Sequence, residues 1–96
     1  MADTIPNIVI PAKTVVDIYA DPGVIAAGIA VGDAISVKMI GNGLAKLYSG
    51  AALAGEPKDS DGYYPIYPRE DIPNNQGDAG AFIWSRQGCT INVRAV

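Results

Sequence analysis

A chain of 96 residues with ten acidic and seven basic side chains, and a formal charge of −3, is the size of one small domain. It has no histidine and one cysteine, which excludes Ser-His-Asp and Cys-His catalysis, zinc fingers and an internal disulfide framework. Lys13, Lys38, Lys46, Lys58, Arg69, Arg86 and Arg94 are dispersed along the sequence, which argues against the basic face of a nucleic-acid binder.

The first strand signals are Asn7-Ile8-Val9-Ile10-Pro11 and Lys13 to Tyr19, both rich in β-branched residues. Pro6 and Pro11 confine the first run to an edge or entry strand. In the second, Val16 and Ile18 share one face, and Val15, Asp17 and Tyr19 the other. Asp21-Pro22-Gly23 reads as a turn. The apolar stretch Gly23 to Gly32 is broken by glycine, so at most a short helical turn is expected around Ala26 and Ala27.

The clearest alternation follows, in Ala34 to Ile40, with Ile35, Val37 and Met39 on one face. Gly41-Asn42-Gly43 then separates it from Leu44 to Tyr48, which predicts a hairpin. Gly50 to Gly62 reads as a loop with one turn at Ala51-Ala52-Leu53-Ala54. Tyr63 to Pro68 reads as an edge strand or an extended arm, and Asn74 to Gly80 as a polar loop. A second hairpin is predicted from Ala81 to Ser85 and Cys89 to Ala95 around Arg86-Gln87-Gly88. There Ile91 and Val93 face one way and Thr90, Asn92 and Arg94 the other, the pattern of a sheet with one wet face. No long helical period occurs. The expected fold is all-β: a small antiparallel β-sandwich or barrel built from hairpins, with about six to eight short strands. Residues 1–96 are expected to form a single β domain, with a candidate N-terminal arm at 1–6.

No targeting segment is expected. Met1-Ala2-Asp3-Thr4 lacks the basic start of a signal peptide, and Gly23 to Gly32 falls far short of the ~20 apolar residues that span a bilayer. This points to synthesis in a reducing cytoplasm, with Cys89 a small buried residue within a strand.

Few groups could carry chemistry. Asp59-Ser60-Asp61-Gly62 resembles the start of a calcium loop, but its glycine comes two residues early and aromatics follow, so a polar turn is expected. Glu70-Asp71 is adjacent in sequence and points apart on a strand, unlike the converging carboxylates of acid–base catalysis. Gly41-Asn42-Gly43 lacks the Gly-Lys-Ser/Thr of a phosphate loop. No catalytic residue, cofactor or metal site is expected, and the chain is read as a non-enzyme. The interaction candidates are Tyr63, Tyr64, Tyr67 and Trp84. The tyrosines offer a rigid apolar surface with a polar handle, suited either to an interface or sugar stacking or to the domain's own sheet edge. Trp84 is expected to be a core or inter-sheet residue in preference to a ligand contact.

Several stretches carry a family resemblance. They are Ile5-Pro6-Asn7-Ile8-Val9-Ile10-Pro11, Thr14 to Ala20, Gly28-Ile29-Ala30-Val31-Gly32, Ile40-Gly41-Asn42-Gly43 with Leu47-Tyr48-Ser49-Gly50, and Gly77-Asp78-Ala79-Gly80-Ala81-Phe82-Ile83-Trp84-Ser85. In this order they resemble small β-rich virion structural proteins, decoration or tail accessory proteins, of tailed bacteriophages. The resemblance covers most of the chain and leaves out Tyr63 to Pro68. It implies a non-enzymatic virion protein assembled in the host bacterial cytoplasm. Its partners would be capsid or tail proteins and copies of itself, in trimers or higher rings, with no nucleic acid and no membrane. A capsid decoration protein binding through apolar faces and β edges is the leading expectation, and a small tail component the alternative. A carbohydrate- or host-surface-binding module using the Tyr63–Tyr67 patch is a further alternative.

Overall fold

The computed structural model describes residues 5–58 and 62–96. Its strands are β1 (Ile8–Ile10), β2 (Val16–Asp17), β3 (Ile35–Ile40), β4 (Ala45–Tyr48), β5 (Tyr64–Ile66), β6 (Asp71–Asn74), β7 (Phe82–Trp84) and β8 (Cys89–Ala95). They form two four-stranded sheets, ordered β1-β8-β3-β6 and β2-β7-β4-β5, and every strand pair is antiparallel. The first strand pairs with the last, the second with the seventh, the third with the sixth and the fourth with the fifth. The chain is thus a ribbon doubled back on itself and rolled, with β3·β8 and β4·β7 completing each sheet. The fold is an all-β antiparallel sandwich, and its strand order is that of a jelly roll.

Burial follows the period of two. Ile35, Val37 and Met39 of β3 and Ile91 and Val93 of β8 meet Ala45 and Leu47 of β4, Ile66 of β5 and Ile83 of β7 in one core. The strand that β2 begins stops early. Asp17 accepts a hydrogen bond from the Tyr19 amide and starts a 3-10 turn at Ile18–Ala20, so Ile18 and Tyr19 are both buried instead of alternating. Asp21 then caps α1 (Pro22–Ala26) by accepting from the amides of Gly23 and Val24, with Pro22 in the first turn. Among the described residues no helix is long and apolar enough to cross a membrane.

Neither predicted hairpin forms. β3 and β4 lie in different sheets, as do β7 and β8. Both links are arches that carry the chain from one layer to the other. The partners of β3 are β8 and β6, and those of β4 are β7 and β5. Gly41 has the positive φ of a turn, but Gly43 serves a different need. A Cβ on Gly43 would lie 2.7 Å from the Cys89 Cβ and 2.9 Å from the Met39 sulfur, so the glycine lets the arch pass close over the first sheet. Ser85 Oγ donates to the Leu44 carbonyl at 2.7 Å and ties the two arches together.

The sequence did not mark β6 as a strand. It holds Pro73 and a single apolar side chain, Ile72, and its last residue, Asn74, is buried. Prolines also mark other edges: β1 is flanked by Pro6 and Pro11, and β5 contains Pro65. The fourth edge strand, β2, is only two residues long. Proline cannot donate a ladder hydrogen bond, so these edges are poor templates for strand addition. Of the arm expected at 1–6, residues 1–4 lie outside the described residues. Ile5 is buried in the core, and its carbonyl accepts from Asn92 Nδ2.

Candidate functional site

The outer face of the β2-β7-β4-β5 sheet holds the aromatic site. Cross-strand pairing puts Lys46 opposite both Trp84 and Pro65, so these three side chains share that face. Tyr63, Pro65 and Tyr67 fall on one side of β5 and its flanks by the same period. Together with Leu44, Arg86 and Gln87, they line a groove of about 320 Å³. Leu44 and Tyr67 remain more than half exposed at its margin.

Trp84 sits at the floor. It is only 7% exposed, yet it lies outside the inter-sheet core cluster. It is thus buried, as expected, but on the outer side of its sheet and not between the sheets. The connection from β4 to β5 brings Gly55 and Glu56 to the same hollows as Trp84, and Pro57 beside them is buried. The Lys46 ammonium lies over the Trp84 ring, and Gly55 and Glu56 face it across the hollow.

Lys46 is the centre of the local electrostatics. Its ammonium lies 4.8 Å from the centre of the Tyr63 ring and 5.7 Å from that of Trp84, within cation–π range. It also pairs with Glu56 at 2.7 Å. The Lys46 hydrogen bond holds the Glu56 carboxyl below its ordinary value. Lys13 and Arg86 stand beside Trp84 in the adjoining hollow.

The structure therefore brings Tyr63, Tyr67 and Trp84 together and leaves Tyr64 apart. Tyr64 pairs with the buried Leu47, so it starts toward the inner side of the sheet and emerges half-exposed at its rim. Sequence reasoning missed Lys13, Lys46, Glu56, Arg86 and Gln87. Only adjacency of β4 and β7 would have marked Lys46 and Trp84 as neighbours, and no local motif encodes it.

The other candidates have structural roles. The Glu70 carboxylate accepts from the Tyr67 amide, and its carbonyl accepts from the Met39 amide. Asp71 instead faces outward, accepting from Ser36 and Arg94. In the 74–80 loop Asp78 accepts from the Asn75 amide at 2.8 Å, closing a tight turn. The calcium-like positions Asp59, Ser60 and Asp61 lie outside the described residues. Among the described residues no group of three or more His, Cys, Asp or Glu could hold a metal ion. Cys89 is half-buried, and burial pushes its thiol up from its ordinary value, so it stays protonated at neutral pH.

The opposite end of the sandwich is locked by a buried polar cluster. Asn74 is 1% exposed; its Nδ2 donates to Tyr19 Oη at 2.9 Å and to the Gly80 carbonyl at 3.3 Å, and its Oδ1 accepts from Ser49 Oγ at 2.5 Å. Tyr19 in turn donates to the Asp33 carbonyl at 2.7 Å. A Cβ on Gly80 would collide with the Gly50 carbonyl, so glycine permits the close approach of these loops.

The groove presents chemistry suited to binding. It offers an apolar, partly aromatic floor and side walls of cationic, carboxylate and amide groups. Compared with protein-family models, with curated proteins and with solved structures, the chain matches none.

Proposed function

We propose that this chain is a non-enzymatic virion structural protein of a tailed bacteriophage, and within that class a capsid decoration protein. The observation that carries the reading is the strand order, β1-β8-β3-β6 over β2-β7-β4-β5. Viral shell domains use the jelly roll repeatedly. The warrant is likeness at the level of fold, joined to the sequence resemblance, because a fold alone does not dictate function. Binding would use faces and loop ends, since proline marks the long edges. Exposed Val9 and Ile40 flank Thr90 on the outer face of the first sheet, and Ile25 and Val31 are exposed around α1. Repeated copies, in trimers or higher rings, would multiply such weak contacts.

Quantitative mass spectrometry of purified particles of a phage encoding this chain tests the proposal. A copy number comparable with that of the major capsid protein supports decoration. A few copies would make it a small tail component, and absence from the particle would sink the structural reading.

The groove favours a second reading, a carbohydrate- or host-surface-binding module. Tyr63, Tyr67 and Trp84 line one groove together with hydrogen-bonding side chains, which suits a sugar ring. A decoration protein could carry such a site on its outer face.

A further inference from the structure

We infer that the groove takes an acidic saccharide. This deepens, and rests on, the saccharide-binding reading above. Tyr63, Tyr67 and Trp84 supply the apolar platform for the C–H face of a sugar, while Lys13 and Arg86 supply donors for its acidic substituent.

Charge distribution selects the ligand class. The chain as a whole carries −3, with ten acidic and seven basic residues. Around Trp84 the balance reverses. Among the described residues lining the two adjoining hollows, Lys13, Lys46 and Arg86 face a single carboxylate, Glu56. Glu56 is engaged by Lys46. Neither Lys13 nor Arg86 has an ion-pair partner among the described residues. A sugar carboxylate would give the arginine a charge-assisted hydrogen bond.

Two other anionic or extended ligands fit less well. A nucleic-acid strand needs a basic track along its phosphates, and two cations on an acidic protein do not make one. A peptide added as a strand needs donors along β5, where Pro65 supplies none.

Trp84 is the single tryptophan, so its emission reports the groove directly. The experiment titrates the full chain at low salt with oligogalacturonate and with a neutral galactan oligosaccharide of equal length. Oligogalacturonate is expected to change the emission at a concentration about tenfold below the neutral sugar. Arg86→Gln is expected to weaken the acidic ligand about tenfold and leave the neutral one unchanged. Tyr67→Ala should weaken both, and high salt should erase the preference for the acidic sugar. Equal binding of the two sugars overturns the acidic assignment and leaves the saccharide reading standing. Binding of neither overturns both. Tighter binding of a single-stranded oligonucleotide also overturns the assignment. Arg86 is exposed, so Arg86→Gln keeps the test decisive should Tyr67→Ala fail to fold.

Discussion

At one end of the sandwich, Tyr19, Ser49, Asn74 and Gly80 bind one another through buried polar groups, and loops from four parts of the chain are held there. On the outer face toward the other end, Tyr63, Tyr67 and Trp84 gather around Lys46 and leave a groove. Both regions place polar groups beside large side chains. In the first, the donors meet fixed acceptors at buried or half-buried positions, and among the described residues no buried side-chain nitrogen or oxygen lacks a partner. In the second, the polar atoms reach solvent and can exchange water for a ligand. A satisfied polar cluster specifies structure, whereas a partly exposed one beside an aromatic floor leaves surface for recognition.

Breaking the locked end is expected to cost most. Asn74→Ala removes both donors and the acceptor, stranding Tyr19 Oη, Ser49 Oγ and the Gly80 carbonyl. A loss of about 3 kcal/mol is expected. It should read as a lower urea midpoint with an unchanged slope. Trp84→Ala comes next, at about 2 kcal/mol in the same assay. The residue is nearly buried but lies outside the central core and beside an open hollow, so its removal leaves no sealed cavity. Tyr67→Ala should change stability by less than about 0.5 kcal/mol, because more than half of its surface is already in water. A large loss there would mean that the groove is a structural seam.

Two pH effects sharpen the same contrast. Burial raises the Tyr19 phenol above its ordinary value, with the charges of Asp78 and Asp33 adding to it and the Asn74 hydrogen bond opposing it. The unfolded chain therefore loses this proton first. The stabilisation is complete below about pH 10 and is lost as pH rises through the folded value. Tyr19→Phe should remove that part of the alkaline decline in a urea-midpoint series. At the groove the sign is opposite. Glu56 is depressed by Lys46, so the ion pair holds above the ordinary glutamate range and is lost as pH falls through the lowered value. Trp84 emission should follow this transition, and Glu56→Gln should abolish it. The pair is exposed, so the expected change is in emission and not in the unfolding midpoint.

The sequence was legible where strands are half-buried. β3 and β8 each bury one side and wet the other, so Ile35, Val37, Met39, Ile91 and Val93 stood out by spacing alone. Partner choice was not legible. Gly41-Asn42-Gly43 and Arg86-Gln87-Gly88 look the same locally whether they close a hairpin or an arch, and burial of both sheet faces decides between them. β6 stayed hidden because Asp71-Ile72-Pro73-Asn74 spells a loop, and its pairing with β3 is a tertiary event. Within the site, the period of two groups Tyr63 with Tyr67 and separates Tyr64. Trp84 is nearly buried on the outer side of its sheet, with the Lys46 ammonium of a neighbouring strand over its ring, and no local pattern could report it.

The position of β8 has a consequence in time. It lies between β1 and β3, so β1 has no sheet partner until Cys89–Ala95 is in place. A chain emerging in order from a ribosome must hold its first strand unpaired while nearly the whole domain is made. Pairing first with last also demands long loop closures before contacts repay them, the regime in which folding takes milliseconds to seconds. The proline-flanked first strand gives that waiting segment little capacity to pair with a neighbour in the meantime.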